Sequence, residues 1–346
     1  MDEPFVGRTA ELAELRRQFE LAMAGQGRVV VLEGPAGGGK TALIRRCLPG
    51  WAGHAETVLL SGDETELALA GGLLGQLVEH SGEAASAELA ALLAGGHADP
   101  LSAGSAMLTL LRARSGATPL AIVVDDAQWG DDLSLRALSF AARRLAADPV
   151  LCVVACRSGG LARLPAGLVR AAAEHGARLA LAGLNTAEVT ELAELTGPPG
   201  VGRLPSRAAE RLREHTDGIP LYVRELLHDL PGQMLRAPGV TLPAPRSLHA
   251  LVGSRLTACT VDAESLVVAA AVLGADCDLA DAAALAGLDD PLPALQEAIG
   301  QRLLAEQSAA GRRRITFPHA LIRAAVYQDI GVARRAALHR AAAGLT

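Results

Sequence analysis

The chain has 346 residues, half of them hydrophobic and 20% charged, with a formal net charge of −6. That length and apolar content imply two or three folded domains of roughly 100–200 residues each, and exclude a disordered chain. The acidic balance and an aromatic content of only 2% exclude a surface built mainly to grip nucleic acid or to stack single strands.

In chain order, residues 9–24 show helical spacing, with Thr9 as the expected N-cap and Glu11 in the first turn. Arg28 to Glu33 is a short run rich in β-branched residues, which predicts a buried strand of a parallel sheet. The segment GPAGGGKT follows at once, and TALIRRCL then reads as a helix. Further strands are predicted at Thr57–Leu60, Pro119–Val124, Val150–Ala155 and Arg178–Leu181, with helical patterns between them. Such alternation implies a parallel sheet with helices on both faces.

From Asn185 onward the pattern is helical. Asn185 and Glu188 have the spacing of a capping box. Residues 206–230 read as two helices broken at Gly218-Ile-Pro220, because proline cannot continue a helix. A proline-rich connector from Pro231 to Pro245 precedes a third block. Helices are predicted there near 247–257, 262–273, 279–287 and 291–304, then a basic hairpin at 311–317 and a final helix from about 319. That order suggests a small winged-helix fold, and no internal repeat is evident.

The five cysteines, Cys47, Cys152, Cys156, Cys259 and Cys277, form no CxxC pair and read as free thiols of a reducing cytosol. The N-terminus lacks the apolar core of a signal peptide, and no membrane-spanning stretch is predicted, so a cytoplasmic location is expected.

Arginine supplies 31 of the 32 basic residues, leaving Lys40 as the only lysine. A lone lysine in an arginine-rich chain marks a place where a compact ammonium on a flexible stem is needed. Gly34, Pro35, Ala36, Gly37, Gly38, Gly39, Lys40 and Thr41 fit G-x-x-x-x-G-K-[ST] between a strand and a helix. Backbone N–H groups of such a loop, with the helix start at Ala42, cradle a β-phosphate. Lys40 is then expected to reach the β- and γ-oxygens of ATP, or the β-oxygens of ADP, and Thr41 to take one Mg²⁺ position. Asp125 and Asp126 end an apolar strand, where acids are costly unless a cation or water meets them. Asp125 is predicted to hold Mg²⁺ through water, and Asp126 to orient or deprotonate the attacking water. Guanine recognition through N-K-x-D needs a second lysine, which the chain lacks.

Phe5-Val-Gly-Arg8, the glycine-rich loop and Asp125-Asp126-Ala-Gln-Trp129-Gly-Asp131 together resemble the nucleotide-binding core of STAND ATPases. More narrowly, they resemble the large ATP-binding LuxR-type regulators of actinobacteria. The likeness continues through Ala155-Cys-Arg157, through Gly218-Ile-Pro220-Leu-Tyr-Val-Arg-Glu-Leu, and through Phe317-Pro-His319-Ala-Leu-Ile-Arg323 with Tyr327. The resemblance implies an α/β P-loop NTPase core over residues 1–184, an all-α lid over 185–240 and a winged-helix domain over 241–346. It also implies Val6 and Arg8 beside the adenine, Arg157 as the γ-phosphate sensor, Pro220 against the base or ribose, and His319 on the ADP β-phosphate.

An ATP-dependent switch follows, self-associating in the ATP state. DNA contact would come only through a C-terminal helix-turn-helix not present in these residues. Three departures stand out. Gly38 replaces a bulkier residue and is expected to loosen the loop. Asp126 is shorter than the usual Glu, which implies slow turnover. Gly130 replaces Ala without expected consequence. The alternatives are a scaffold that holds ADP without turnover and a P-loop small-molecule kinase. Arg312, Arg313 and Arg314 read as a solvated hairpin or one that meets an acidic partner in another domain, in preference to a DNA-touching wing.

Overall fold

The computed structural model describes residues 4–96, 98–197, 203–237, 241–309 and 312–344. The chain divides into two compact units, whose main bodies are Phe5–Gly183 and Leu184–Thr346.

The first unit runs α1 (Thr9–Met23), β1 (Arg28–Gly34), α2 (Lys40–Trp51), β2 (Glu56–Ser61), α3 (Gly72–Glu79), α4 (Glu83–Ala94), α5 (Pro100–Ala117), β3 (Leu120–Asp125), α6 (Asp132–Ala142), β4 (Val150–Arg157), α7 (Ala166–Glu174) and β5 (Gly176–Ala180). The strands form one sheet in the order β2-β3-β4-β1-β5, and every pairing is parallel. Alternate residues of each strand feed two cores. Val29, Val31, Ile122 and Val154 pack under α3 to α7, whereas Val30, Leu32, Val123 and Val153 pack under α1 and α2. The Phe19 and Trp51 rings stack at 5.4 Å within the second of these cores. Burial on both faces explains why the strands read as unbroken apolar runs. Cys152 and Cys156 are buried free thiols, as predicted.

The predicted Thr9 cap requires correction. Thr9 is the first helical residue, and Arg8 holds the N-cap position at φ 60° without a side-chain cap bond. Gly7 and Arg8 both take the left-handed region, so backbone geometry rather than a hydroxyl turns the chain into α1. Strand β5 also begins two residues before the predicted Arg178, where Gly176 opposes Val29.

The second unit contains α8 (Thr186–Thr196), α9 (Ser206–Thr216), α10 (Pro220–Asp229), α11 (Gly232–Arg236), α12 (Arg246–Thr257), α13 (Val261–Leu273), β6 (Asp276–Asp278), α14 (Leu279–Ala286), α15 (Leu292–Gly300), β7 (Ala305–Ala309), β8 (Arg312–Thr316), α16 (Ala320–Asp329) and α17 (Val332–Ala342). The capping box at Asn185 and Glu188 is fully formed. The helix break at Gly218-Ile-Pro220 is present, with Pro220 as the first residue of α10.

Strands β6, β8 and β7 form an antiparallel sheet in that order. The helix predicted over 291–304 therefore ends early. Arg302 takes a left-handed φ of 56°, and the buried Leu303 and Leu304 lead into β7 instead of extending α15. Arg314 pairs with Asp276 at 2.6 Å and Arg313 with Glu306 at 3.7 Å, so these acidic partners lie on the neighbouring strands of the same sheet and not in another domain. The side chain of Arg312 lies outside the described residues.

Candidate functional site

The C-terminal ends of all five parallel strands share one edge of the sheet, the edge at which open α/β sheets place their ligands. Register sets the neighbours there: Gly34 opposes Arg157, and Ser61 opposes Asp125. Three predicted groups therefore meet on the adjacent strands β3, β4 and β1. They are the acid pair, Arg157 and the glycine-rich loop.

The loop is tightly folded. Gly37 and Gly39 take φ of 72° and 91°, conformations that L side chains rarely adopt. Gly38 donates its N–H to Pro35 O at 3.0 Å. A Cβ on Gly38 would lie 2.9 Å from that same oxygen. The expectation that Gly38 loosens the loop is thus corrected: its missing side chain permits this tight turn. Lys40 is buried, and its Nζ donates to the carbonyls of Gly34 and Pro35 at 3.0 Å each. Burial lowers the Lys40 pKa, while the carboxylates of Asp126 and Asp125 pull it upward.

Thr41 Oγ1 donates to Asp125 Oδ2 at 2.6 Å, and Asp125 Oδ1 accepts the Asp126 N–H at 2.9 Å. Asp126 itself sits at φ 46°, in a region that Asp tolerates better than most residues. Arg157 Nε lies 3.8 Å from Asp126 Oδ1, and its guanidinium carbon lies 5.6 Å from the Trp129 ring centre.

Arg8 closes the loop from behind. Its guanidinium donates to Gly38 O at 3.2 Å and Ala182 O at 2.5 Å, and pairs with Glu11 at 3.3 Å. Val6 is buried just before it, and Ala42 lies in the first turn of α2.

Pro220 and His319 belong to the second unit. His319 caps α16 through Nδ1, which accepts the Leu321 N–H at 3.0 Å. Its Nε2 lies 3.1 Å from Asp217 Oδ2 but without hydrogen-bonding geometry. Burial lowers the His319 pKa, and Asp217 acts in the opposite sense.

Three residues of the Asp125–Asp131 motif have contacts that sequence reasoning did not assign. Gln128, nine-tenths and more buried, donates to Asp126 Oδ1 at 2.7 Å and accepts the Arg157 N–H at 2.9 Å. Asp131 accepts from Gly71 N and Ser134 N at 2.8 and 2.9 Å, and from Leu73 N at 3.3 Å, joining the starts of α3 and α6. Gly130 has a packing role, since a Cβ there would lie 2.8 Å from Leu73 Cδ1 and 3.1 Å from Leu135 Cδ2.

The family model described as AAA ATPase domain matches residues 4–154. Over these residues the chain is similar to AAA-type P-loop ATPase domains. A similar fold is found in the Walker-type ATPase of Pyrococcus abyssi, at a TM-score of 0.54 and 14% identity, covering 93% of this chain and 96% of that one. It recurs again in the Aeropyrum pernix ORC2 protein, described in ADPNP and ADP complexes, at 0.52 and 14% identity, covering 99% and 98%. An uncharacterized protein of Rhizobium meliloti (strain 1021) is 25% identical over 98% of this chain. The chain spans 37% of that relative's length. Among the described residues, no helix is long and apolar enough to cross a membrane.

Proposed function

We propose that this chain is the ATP-driven switch module of a LuxR-type transcriptional regulator. It binds ATP with Mg²⁺ and hydrolyses it slowly to ADP and phosphate, self-associating in the ATP state. The observation that carries the nucleotide reading is the 2.6 Å bond from Thr41 to Asp125, which joins the glycine-rich loop to the acid strand.

A hydroxyl and a carboxylate are hard oxygen donors of the kind Mg²⁺ prefers. No cluster of three or more His, Cys, Asp or Glu able to hold a metal is found among the described residues. Thr41 and Asp125 would therefore hold Mg²⁺ together with substrate oxygens and water, as in other P-loop sites. Bound there, the ion supplies charge neutralisation on the β- and γ-oxygens. Lys40 leaves its two carbonyl partners to meet the same oxygens, Asp126 takes a proton from the attacking water, and Arg157 senses the γ-phosphate. Val6 and Arg8 contribute beside the adenine.

The regulator reading rests on the motif resemblance. Support comes from the second unit, where the β6-β8-β7 sheet with α13, α14 and α15 is consistent with a winged helix. The free cysteines suit a reducing cytoplasm. The resemblance assigns Pro220 and His319 to the nucleotide as well, and substituting each while measuring ADP affinity tests that assignment separately.

Nucleotide affinity and phosphate release by wild type, Lys40→Ala and Asp126→Asn form the deciding experiment. Unchanged ATP affinity in Lys40→Ala rejects the site. Equal phosphate release by wild type and Asp126→Asn favours a scaffold that holds ADP. A phosphorylated acceptor without free phosphate favours a kinase.

A further inference from the structure

Gln128 lies on the short 3₁₀ turn Ala127–Trp129, between the acid pair and α6, with 4% of its surface exposed. A buried primary amide is costly unless both its ends are satisfied. Here both are, and by the two residues that bracket the sheet edge. Nε2 donates to Asp126 Oδ1, and Oε1 accepts the N–H of Arg157, the last residue of β4. The Gln128 Cβ also lies 3.3 Å from where a Cβ on Gly160 would stand, so the turn leaving β4 is packed against it.

The Asp126 backbone is held separately by its carbonyl, which accepts the Trp129 N–H at 2.8 Å. What remains free in Asp126 is the rotation of its carboxylate, and Gln128 takes that freedom away. Oδ1 faces the amide and the Arg157 guanidinium, whereas Oδ2 accepts no hydrogen bond among the described residues.

We propose that Gln128 is a positioning residue of the hydrolytic centre: it locks Asp126 Oδ1 against the end of β4 and leaves Oδ2 for the attacking water. This rests on the reading of Asp126 as proton acceptor. In the step, the water oxygen forms a bond to the γ-phosphorus while the bond to the β–γ bridging oxygen breaks. The water proton passes to Asp126 Oδ2, and the bond electrons leave on the ADP oxygen. Because one amide holds both Asp126 and the backbone of Arg157, a displacement of Arg157 is transmitted to the carboxylate through two hydrogen bonds.

The test measures steady-state ATP turnover by the full chain with Mg²⁺ for wild type, Gln128→Met, Gln128→Glu, Asp126→Asn and the Gln128→Met/Asp126→Asn double variant. Gln128→Met keeps length and burial but removes both amide bonds. It is expected to lower kcat about tenfold or more while KM for ATP stays within about threefold, and to cost nothing further in the Asp126→Asn background. Gln128→Glu keeps the acceptor for Arg157 N but sets a carboxylate against Asp126, and is expected to lose as much. Multiplicative losses in the double variant overturn the proposal, because Gln128 would then support the fold and not Asp126. Retained activity in Gln128→Glu overturns it too, because the strand anchor alone would suffice. Wild-type turnover by Gln128→Met, with loss in Asp126→Asn, rejects this inference alone. Wild-type turnover by Asp126→Asn rejects both it and the hydrolytic reading beneath it.

Discussion

The guanidinium of Arg8 is hydrogen-bonded to the carbonyl of Gly38, thirty positions further along the chain, and to that of Ala182 just beyond the sheet. Arg8 thereby ties the start of α1 to both the glycine-rich loop and the segment that leaves β5.

Arg8→Ala removes a buried charge and leaves these two carbonyls without that donor, which is expected to cost about 2 to 4 kcal/mol of stability. Arg8→Lys should recover less than half of that, because one ammonium lacks the planar fork that spans two acceptors. Chemical denaturation of the three proteins checks both expectations; equal stability of wild type and Arg8→Ala would remove the structural role.

Thr41→Val keeps the shape of the side chain and deletes the hydroxyl that meets Asp125. ATP affinity measured calorimetrically with Mg²⁺ is expected to fall about tenfold or more, and with EDTA to change by less than about threefold. An equal fall under both conditions would assign Thr41 to packing and not to the cation.

Gly130→Ala forces a methyl group toward Leu73 and Leu135, both buried. Overpacking of this kind costs about 1 to 3 kcal/mol, so the variant should melt several degrees below wild type. Calorimetry of the full chain reads the shift; an unchanged transition would mean that α3 and α6 move apart without cost.

His319 carries a pH dependence with a definite sign. Its folded-state pKa is lowered from 6.5, chiefly by burial, so the unfolded chain binds a proton more readily as pH falls. The stability contribution is fully present above about pH 6.5 and is lost as pH drops toward the lower folded value. Protonation would also fill Nδ1, the atom that caps α16. His215, which bonds to Pro243 O, is lowered by burial as well and adds to the same slope. His319→Asn, which offers an acceptor without a titrating ring, is expected to flatten the fall in stability between about pH 7 and pH 5.5. An unaltered slope would assign the dependence to His215 and other groups.

The residues whose roles depend on local spacing were legible in the sequence. The glycine-rich loop declares itself because its glycines, lysine and threonine are contiguous, and the capping box because its two members are three residues apart. Arg8 was not legible in the same way. Resemblance directs it to the adenine, whereas its bonds to Gly38 and Ala182 span up to 174 positions and depend on the closure of the sheet. Gln128 was visible only as one letter of the Asp125–Asp131 motif, since one amide in a turn is ordinary until its two partners are located. Strand β6 escaped because only one of its three residues, Cys277, is a buried apolar group, and a single such residue sets no period.

The strand order also has a consequence for how the chain is made. β1 pairs only with β4 and β5, both of which lie far downstream. As the polypeptide emerges from a ribosome, residues 28–34 stay without sheet partners until residues beyond 150 are available, and the second edge waits for 176–180. The glycine-rich loop is encoded among the first 41 residues, yet its supporting strand is among the last parts of its unit to be secured. A fragment ending at residue 154, where the family match stops, would contain every residue of that loop and leave β1 with one bare edge.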